Sequence, residues 1–352
     1  MKTSRRDFLA AVTALSLFPT RTLAQAPNRE LTQLLDTIIG VDMHSHAGAV
    51  HASQNVAGVD IAASMRQGRM TAVCLGHTGD APVIRREGNR IFTFRSPAPG
   101  ELWYHTESKL HFIDGVVRSQ GLRRALKRGD IEQAHKDRAP AIVQMIEGAQ
   151  FLEGKLERVE EVHRRGVRQL QLVHFMYRDP VGDIQTENPD QGGLTGFGRE
   201  LIAECNRLGM VIDTAHATMK FVEQAAKASK TPLIFSHTHF APEPGPLSRL
   251  VSREHARLIA QTGGVIGIWG ISSDGTLSLL ADRVARMADA VGVDHVGLGS
   301  DVGGSGRNIW PDYALFPELV LLLRKKGFSP VDIGKIAGGN YVRVFNASSP
   351  QS

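Results

Sequence analysis

The 352-residue chain predicts an α/β protein, a (β/α)8 TIM-like barrel, on three observations. Short apolar, β-rich runs alternate with longer amphipathic stretches. The runs number eight, enough to close a barrel, and each turns polar only at its last residues.

In chain order the runs are "GVDMHSH" (40–46), "MTAVCLGH" (70–77), "AIVQMIEGA" (141–149), "VRQLQLVHF" (167–175), "MVIDTAHA" (210–217), "PLIFSHTHF" (232–240), "GGVIGIWG" (263–270) and "HVGLGSDVGG" (295–304). Between them, "GFGRELIAECNRLG" sets Phe197, Leu201, Ile202, Cys205 and Leu208 at helical spacing, and Gly209 stops the helix. "EGKLERVEEVHRRG" and "LLADRVARMADAVG" repeat the pattern, each ending in glycine before the next strand. The stretch from about 80 to 139 is long for one crossover and predicts helices laid over the barrel rim. One domain, residues 27–352, accounts for all of this.

Residues 1–26 read as a signal peptide. Lys2, Arg5 and Arg6 precede an apolar run from Phe8 to Phe18, and small residues follow around Ala24 and Ala26. Ser4-Arg5-Arg6-Asp7-Phe8-Leu9 is similar to a twin-arginine export signal, so a periplasmic or otherwise exported protein is expected. The apolar run is too short to span a bilayer, and no stable membrane anchor is expected after cleavage.

Removal of residues 1–24 takes away Lys2, Arg5, Arg6, Arg21 and Asp7 and lowers the formal charge from +5 to +2. No basic cluster interleaved with aromatics follows, so no nucleic-acid partner is expected. The two cysteines, Cys74 and Cys205, fall in apolar strand-like and helix-like runs and read as buried free thiols.

A barrel of this kind builds its active site at the C-terminal ends of its strands. The first run ends in His44 and His46, the third in Glu147, the fourth in His174, the fifth in His216, the sixth in His237 and His239, and the eighth in Asp301. Histidine and carboxylate together are ligands for zinc and similar ions, and residues two apart on a strand face one side. His44 and His46 can therefore hold one ion. Glu147 can bridge to a second, held by His216 and His237, and two such ions would share and activate one water. A lone histidine at a strand end is more often structural, and His51, His77, His105, His111, His135, His163, His255 and His295 are read that way. Convergence on one rim is what distinguishes the metal set.

The motifs "DMHSH" (42–46), "MIEGAQFL" (145–152), "LTGFGRELIAECNRLGMVIDTAH" (194–216), "PLIFSH" (232–237), "DHVGLGSDVGG" (294–304) and "GGNYVRVF" (338–345) resemble the membrane (renal-type) dipeptidases, peptidase family M19 of the amidohydrolase superfamily. The resemblance implies a dinuclear zinc dipeptidase acting on a small-molecule substrate, a dipeptide or related amide. It implies His44, His46, Glu147, His216 and His237 as ligands of two Zn2+, Asp301 as the proton shuttle, and His174 as the group polarising the scissile carbonyl. It further implies Arg249 as the partner of the substrate carboxylate, and a homodimer. The chemistry asks for the same types: attack on an amide needs an activated water, an electrophile for the oxyanion and an acid for the amine. A planar guanidinium suits a carboxylate.

The family has His-x-Asp where this chain has His44-Ser45-His46. Histidine is a competent ligand, but one negative charge is lost beside the place of a dipeptide's free amine. A preference for blocked amides follows as an expectation. The alternatives are an amidohydrolase acting on N-acyl, lactone or cyclic amide substrates, and a catalytically silent exported binding protein. "VRQLQLVHF" lacks the lysine that other superfamily members carboxylate on the fourth strand. His237 keeps the position directly after "FS", and His239 is expected to line the pocket.

Overall fold

The computed structural model describes residues 29–47, 60–88, 90–304 and 306–349; the expected signal segment and His51 lie outside them. Eight parallel strands form the barrel: β1 (Val41–Ser45), β2 (Ala72–Thr78), β3 (Ala141–Glu147), β4 (Val167–Gln171), β5 (Val211–Asp213), β6 (Leu233–Thr238), β7 (Val265–Trp269) and β8 (Val296–Gly299). Each pairs with its chain neighbours, and β1 pairs with β8 to close the ring. The (β/α)8 expectation is met.

The helices begin and end where local chemistry dictates. Thr195, Thr218 and Ser252 accept the backbone N–H three residues on and cap helices Gly196–Leu208, Met219–Ala228 and Arg253–Gln261. Gly209 takes φ 74° after Leu208, where a side chain would be strained, and stops the helix before β5.

Apolar side chains fill two regions. The larger lies between strands and surrounding helices and includes Leu75, Ile146, Leu201, Phe235 and Leu319. The smaller fills the lower barrel with Val41, Met43, Cys74, Met145, Ile234 and Val265, and it is closed by Tyr341 and Phe345 of the C-terminal helix Asn340–Ser348. Cys74 and Cys205 are free and buried. Among the described residues no helix is long and apolar enough to cross a membrane.

Two features depart from the sequence expectation. The 80–139 stretch holds helices Glu101–Ser119 and Asp130–Lys136, but also an antiparallel hairpin, Ile84–Glu87 with Arg90–Thr93. The hairpin is held over the rim because Thr93 Oγ accepts from Tyr177 N (2.8 Å) and Arg90 pairs with Glu187 (2.9 Å). Several strands also stop short of their apolar runs: β4 ends at Gln171, β5 at Asp213 and β8 at Gly299. His174, His216 and Asp301 therefore stand on the loops that follow.

The pairing register slips where the site begins. Asp42 and Ser45 oppose Val73 and Leu75, so β1 carries one extra residue next to β2. Phe235 and Thr238 oppose Ile266 and Ile268, so β6 carries one next to β7. Such bulges re-aim side chains at a barrel rim.

Candidate metal centre

Glu147, at the end of β3, is the hub of the rim. It lies buried, with Oε1 3.5 Å from His44 Nε2, 3.3 Å from His216 Nε2, 3.5 Å from His237 Nε2 and 3.4 Å from His174 Nε2, while Oε2 meets His46 Nε2 at 3.1 Å. The histidines form two pairs. His44 Nε2 faces His46 Nε2 at 3.1 Å, and His216 Nε2 faces His237 Nε2 at 3.1 Å. Two three-residue groups, His44–His46–Glu147 and Glu147–His216–His237, thus share one carboxylate.

The bulge in β6 explains how consecutive residues both reach the centre. Ser236 Oγ touches His44 Nδ1 at 3.1 Å and His237 Nδ1 at 3.0 Å, and His237 sends its other nitrogen to His216. His216 (φ 71°) and Asp301 (φ 57°) both adopt the left-handed backbone region, uncommon for such residues and frequent at functional sites. A Cβ on Gly304 would stand 2.1 Å from Asp301 Oδ1, so that turn fits around the Asp301 carboxylate only as glycine.

The donor set fits divalent cations. His46 Nδ1 donates to the Gly76 carbonyl at 2.8 Å, which leaves its Nε2 lone pair facing inward as a ligand histidine requires. His216 and His237 are held well below the ordinary imidazole value, His216 by burial and then the Arg249 charge, His237 by burial and then the His44 charge. They are neutral, with lone pairs to offer. His46 is raised to about 9: burial works against the charge, but the Glu147 hydrogen bond and the Glu147 and Asp301 charges outweigh it. The field at that point calls for a cation. His216 is the exception in its outer contacts, since its Nδ1 meets no acceptor among the described residues.

Around this hub stand the remaining expected residues. His174 Nδ1 donates to Asp80 Oδ1 at 2.6 Å. Asp301 Oδ1 lies 3.7 Å from His46 and 4.0 Å from His44, and Trp269 Nε1 donates to Oδ2 at 2.9 Å. Burial raises the Asp301 carboxyl against the pull of the His44 and His46 charges, as suits a group that takes up and gives up a proton. Arg249 donates to Gln185 Oε1 at 2.7 Å and to His237 Nε2 at 3.0 Å, and burial lowers it to about 10. All eight expected site residues come together. Seven of them line one cavity of about 400 Å3, and His44 lies beneath it.

His239 does not line that cavity. Strand β6 ends at Thr238, so the two-residue alternation that paired His239 with His237 stops before it. Several contributors escaped the sequence reading: Asp80 behind His174, Ser236 between two imidazoles, Gln185 on Arg249, and Trp269 on Asp301. Asp80 and Trp269 follow or end β2 and β7, the two strands whose polar ends were passed over.

The fold and the site together define a metallohydrolase-type (β/α)8 barrel. The chain belongs to the membrane dipeptidase family, peptidase family M19, whose sequence model matches residues 39–350. It is 30% identical over 235 residues to Dipeptidase tcpJ of Claviceps purpurea, covering 64% of this chain and 55% of the relative. It is 29% identical over 215 residues to Dipeptidase 3 of Rattus norvegicus, covering 57% and 43%. The alignments thus span about half the length of these relatives. Among solved structures, an amidohydrolase from Pseudomonas aeruginosa superposes with a TM-score of 0.74 at 23% identity, covering 91% of this chain and 99% of that one. At these identities the likeness establishes the shared fold.

Proposed function

We propose that this protein is an exported hydrolase that binds two zinc ions and cleaves dipeptides or related small amides, with N-blocked amides preferred over those bearing a free amine. The observation that carries the reading is one buried carboxylate, Glu147, shared by two facing histidine pairs. His44, His46 and Glu147 would hold one ion, and Glu147, His216 and His237 the other. When bound, the ions supply an activated water and Lewis acidity at the carbonyl.

The chain's own groups do the rest. His174, its Nδ1 fixed on Asp80, presents Nε2 beside Glu147 and donates to the carbonyl oxygen as charge develops there. Asp301, positioned by Trp269, takes the proton from the attacking water and returns it to the leaving amine. Arg249 keeps one donor on Gln185; its second, now on His237 Nε2, serves the substrate carboxylate once that nitrogen is ligated. His46 replaces the family's aspartate with a neutral ring, so a substrate ammonium finds no first contact there, and this supports the preference for blocked amides.

The test is amine release from L-L, L-D and N-acylated dipeptides by zinc-loaded protein, wild type beside His46→Asp, before and after chelation. Hydrolysis is expected to depend on metal, to favour the N-acylated compounds, and to shift toward free dipeptides in His46→Asp. Stoichiometric zinc without turnover of any amide would overturn the enzyme in favour of a binding protein. Equal rates on free and blocked substrates would overturn the specificity.

A further inference from the structure

The rim hairpin turns one face to the cavity. Cross-strand partners share a face, and Ile84, Arg86 and Ile91 line the cavity through the pairs Ile84↔Thr93 and Arg86↔Ile91. Thr93, on the same face, donates to the Phe175 carbonyl at 3.3 Å and so ties the hairpin to the loop that carries His174. Arg85 also reaches the lining, but it is engaged: its guanidinium pairs with Glu87 at 2.8 Å and lies 5.4 Å from the Phe92 and Phe94 rings. Arg86 has no side-chain partner among the described residues and carries its charge into the same space.

The charge pattern of that space is lopsided. Among the described lining residues the carboxylates are Glu147 and Asp301, the first surrounded by imidazoles and the second held by Trp269. Against them stand Arg85, Arg86 and Arg249. Arg249 follows β6 and Arg86 follows β2, strands four places apart in a ring of eight, so the two guanidiniums stand on opposite sides of Glu147. A substrate ammonium on the hairpin side meets cations and no free carboxylate. A substrate carboxylate there meets a fork of donors.

Resting on the amide-hydrolase reading, we propose that Arg86 is a second anion-recognition residue, and that the substrates are small amides carrying a carboxylate on each side of the scissile bond. The carboxylate of the amine half sits on Arg249; that of the acyl half sits on Arg86. Hydrolysis of such a compound adds one water across the amide and releases a dicarboxylic acid and an amino acid.

The probes are N-succinyl-L-alanine and N-succinamoyl-L-alanine, matched in shape and differing by one charge. With zinc-loaded wild type, kcat/KM is expected to favour the succinyl compound by about tenfold, the size of one charge-assisted contact. Arg86→Gln brings the ratio near one, and Arg86→Lys retains part of it. Equilibrium titration of both compounds into zinc-loaded Asp301→Asn protein, with and without Arg86→Gln, reads the same preference without turnover. Equal treatment of the two compounds by wild type, or a preference that survives Arg86→Gln, overturns the proposal. If neither compound is hydrolysed but titration shows the Arg86-dependent preference, the anion site stands and the hydrolase reading falls.

Discussion

Asp80 shows how a residue remote from the reacting bond sets the state of one beside it. Its Oδ1 accepts from His174 Nδ1 at 2.6 Å, and its Oδ2 accepts the Phe175 N–H at 3.0 Å, so both ring and backbone are located by one carboxylate. Burial alone would lower the His174 imidazole, but the Asp80 and Glu147 charges raise it above the ordinary value. The protonated ring is the useful one, because a donor is needed at the carbonyl oxygen. Asp80→Asn removes the charge and keeps the shape. The folded-state value of His174 then falls, and the alkaline limb of the kcat/KM profile is expected to move to lower pH, with a loss of about 10–100-fold at neutral pH. An unmoved pH profile with unchanged kcat/KM would show that Asp80 serves packing alone.

Among the elements, the bulges in β1 and β6 decide which side chains meet. Strict alternation would send His237 and Ser236 to opposite faces, whereas the extra residue in β6 lets both serve the centre. The displaced Ser236 carbonyl lies where side chains on neighbouring strands would otherwise stand. A Cβ on Gly267 would be 1.8 Å from it, and one on Gly299 1.7 Å. Gly299→Ala must push the bulge, and with it Ser236, away from His44 and His237. A loss of about 3 kcal/mol in unfolding free energy, with weaker metal retention, is expected by denaturant titration and metal analysis. Retention of wild-type stability and metal content would show that the bulge can shift at no cost. This layer was not legible in the sequence. Polar residues ending apolar runs marked His44, Glu147 and His237, but a bulge is a mismatch between two strands, and one strand's pattern does not contain it. The hairpin escaped for a related reason: "IRREGNRIFT" is charged, short and packed on a loop, with little apolar period to read.

For the molecule as a whole, metal and fold are linked. The ligands come from β1, β3 and β6 and from the loop after β5, so ions bound to the native state and not to the unfolded chain stabilise the closed barrel. Chelation is expected to lower the melting temperature by several degrees, since a ligand at about a thousandfold its Kd contributes about 4 kcal/mol. Zinc should restore it, and an unchanged melting curve would count against resident ions. The barrel was legible because eight strands and their glycine-stopped helices repeat one unit. Closure rests on less visible contacts: β8 against β1, and Asp42, which accepts Ser300 N (2.8 Å) and Tyr313 OH (2.8 Å) across the seam. That seam fixes an order of events during synthesis. His44 sits on the first strand, yet the wall behind it is supplied by residues 296–313, so the first-made half of the ion-binding set waits for nearly the last-made segment. A nascent chain still lacking its final sixth has every expected ligand and no closed ring to hold them, which makes ion capture a report that translation has finished.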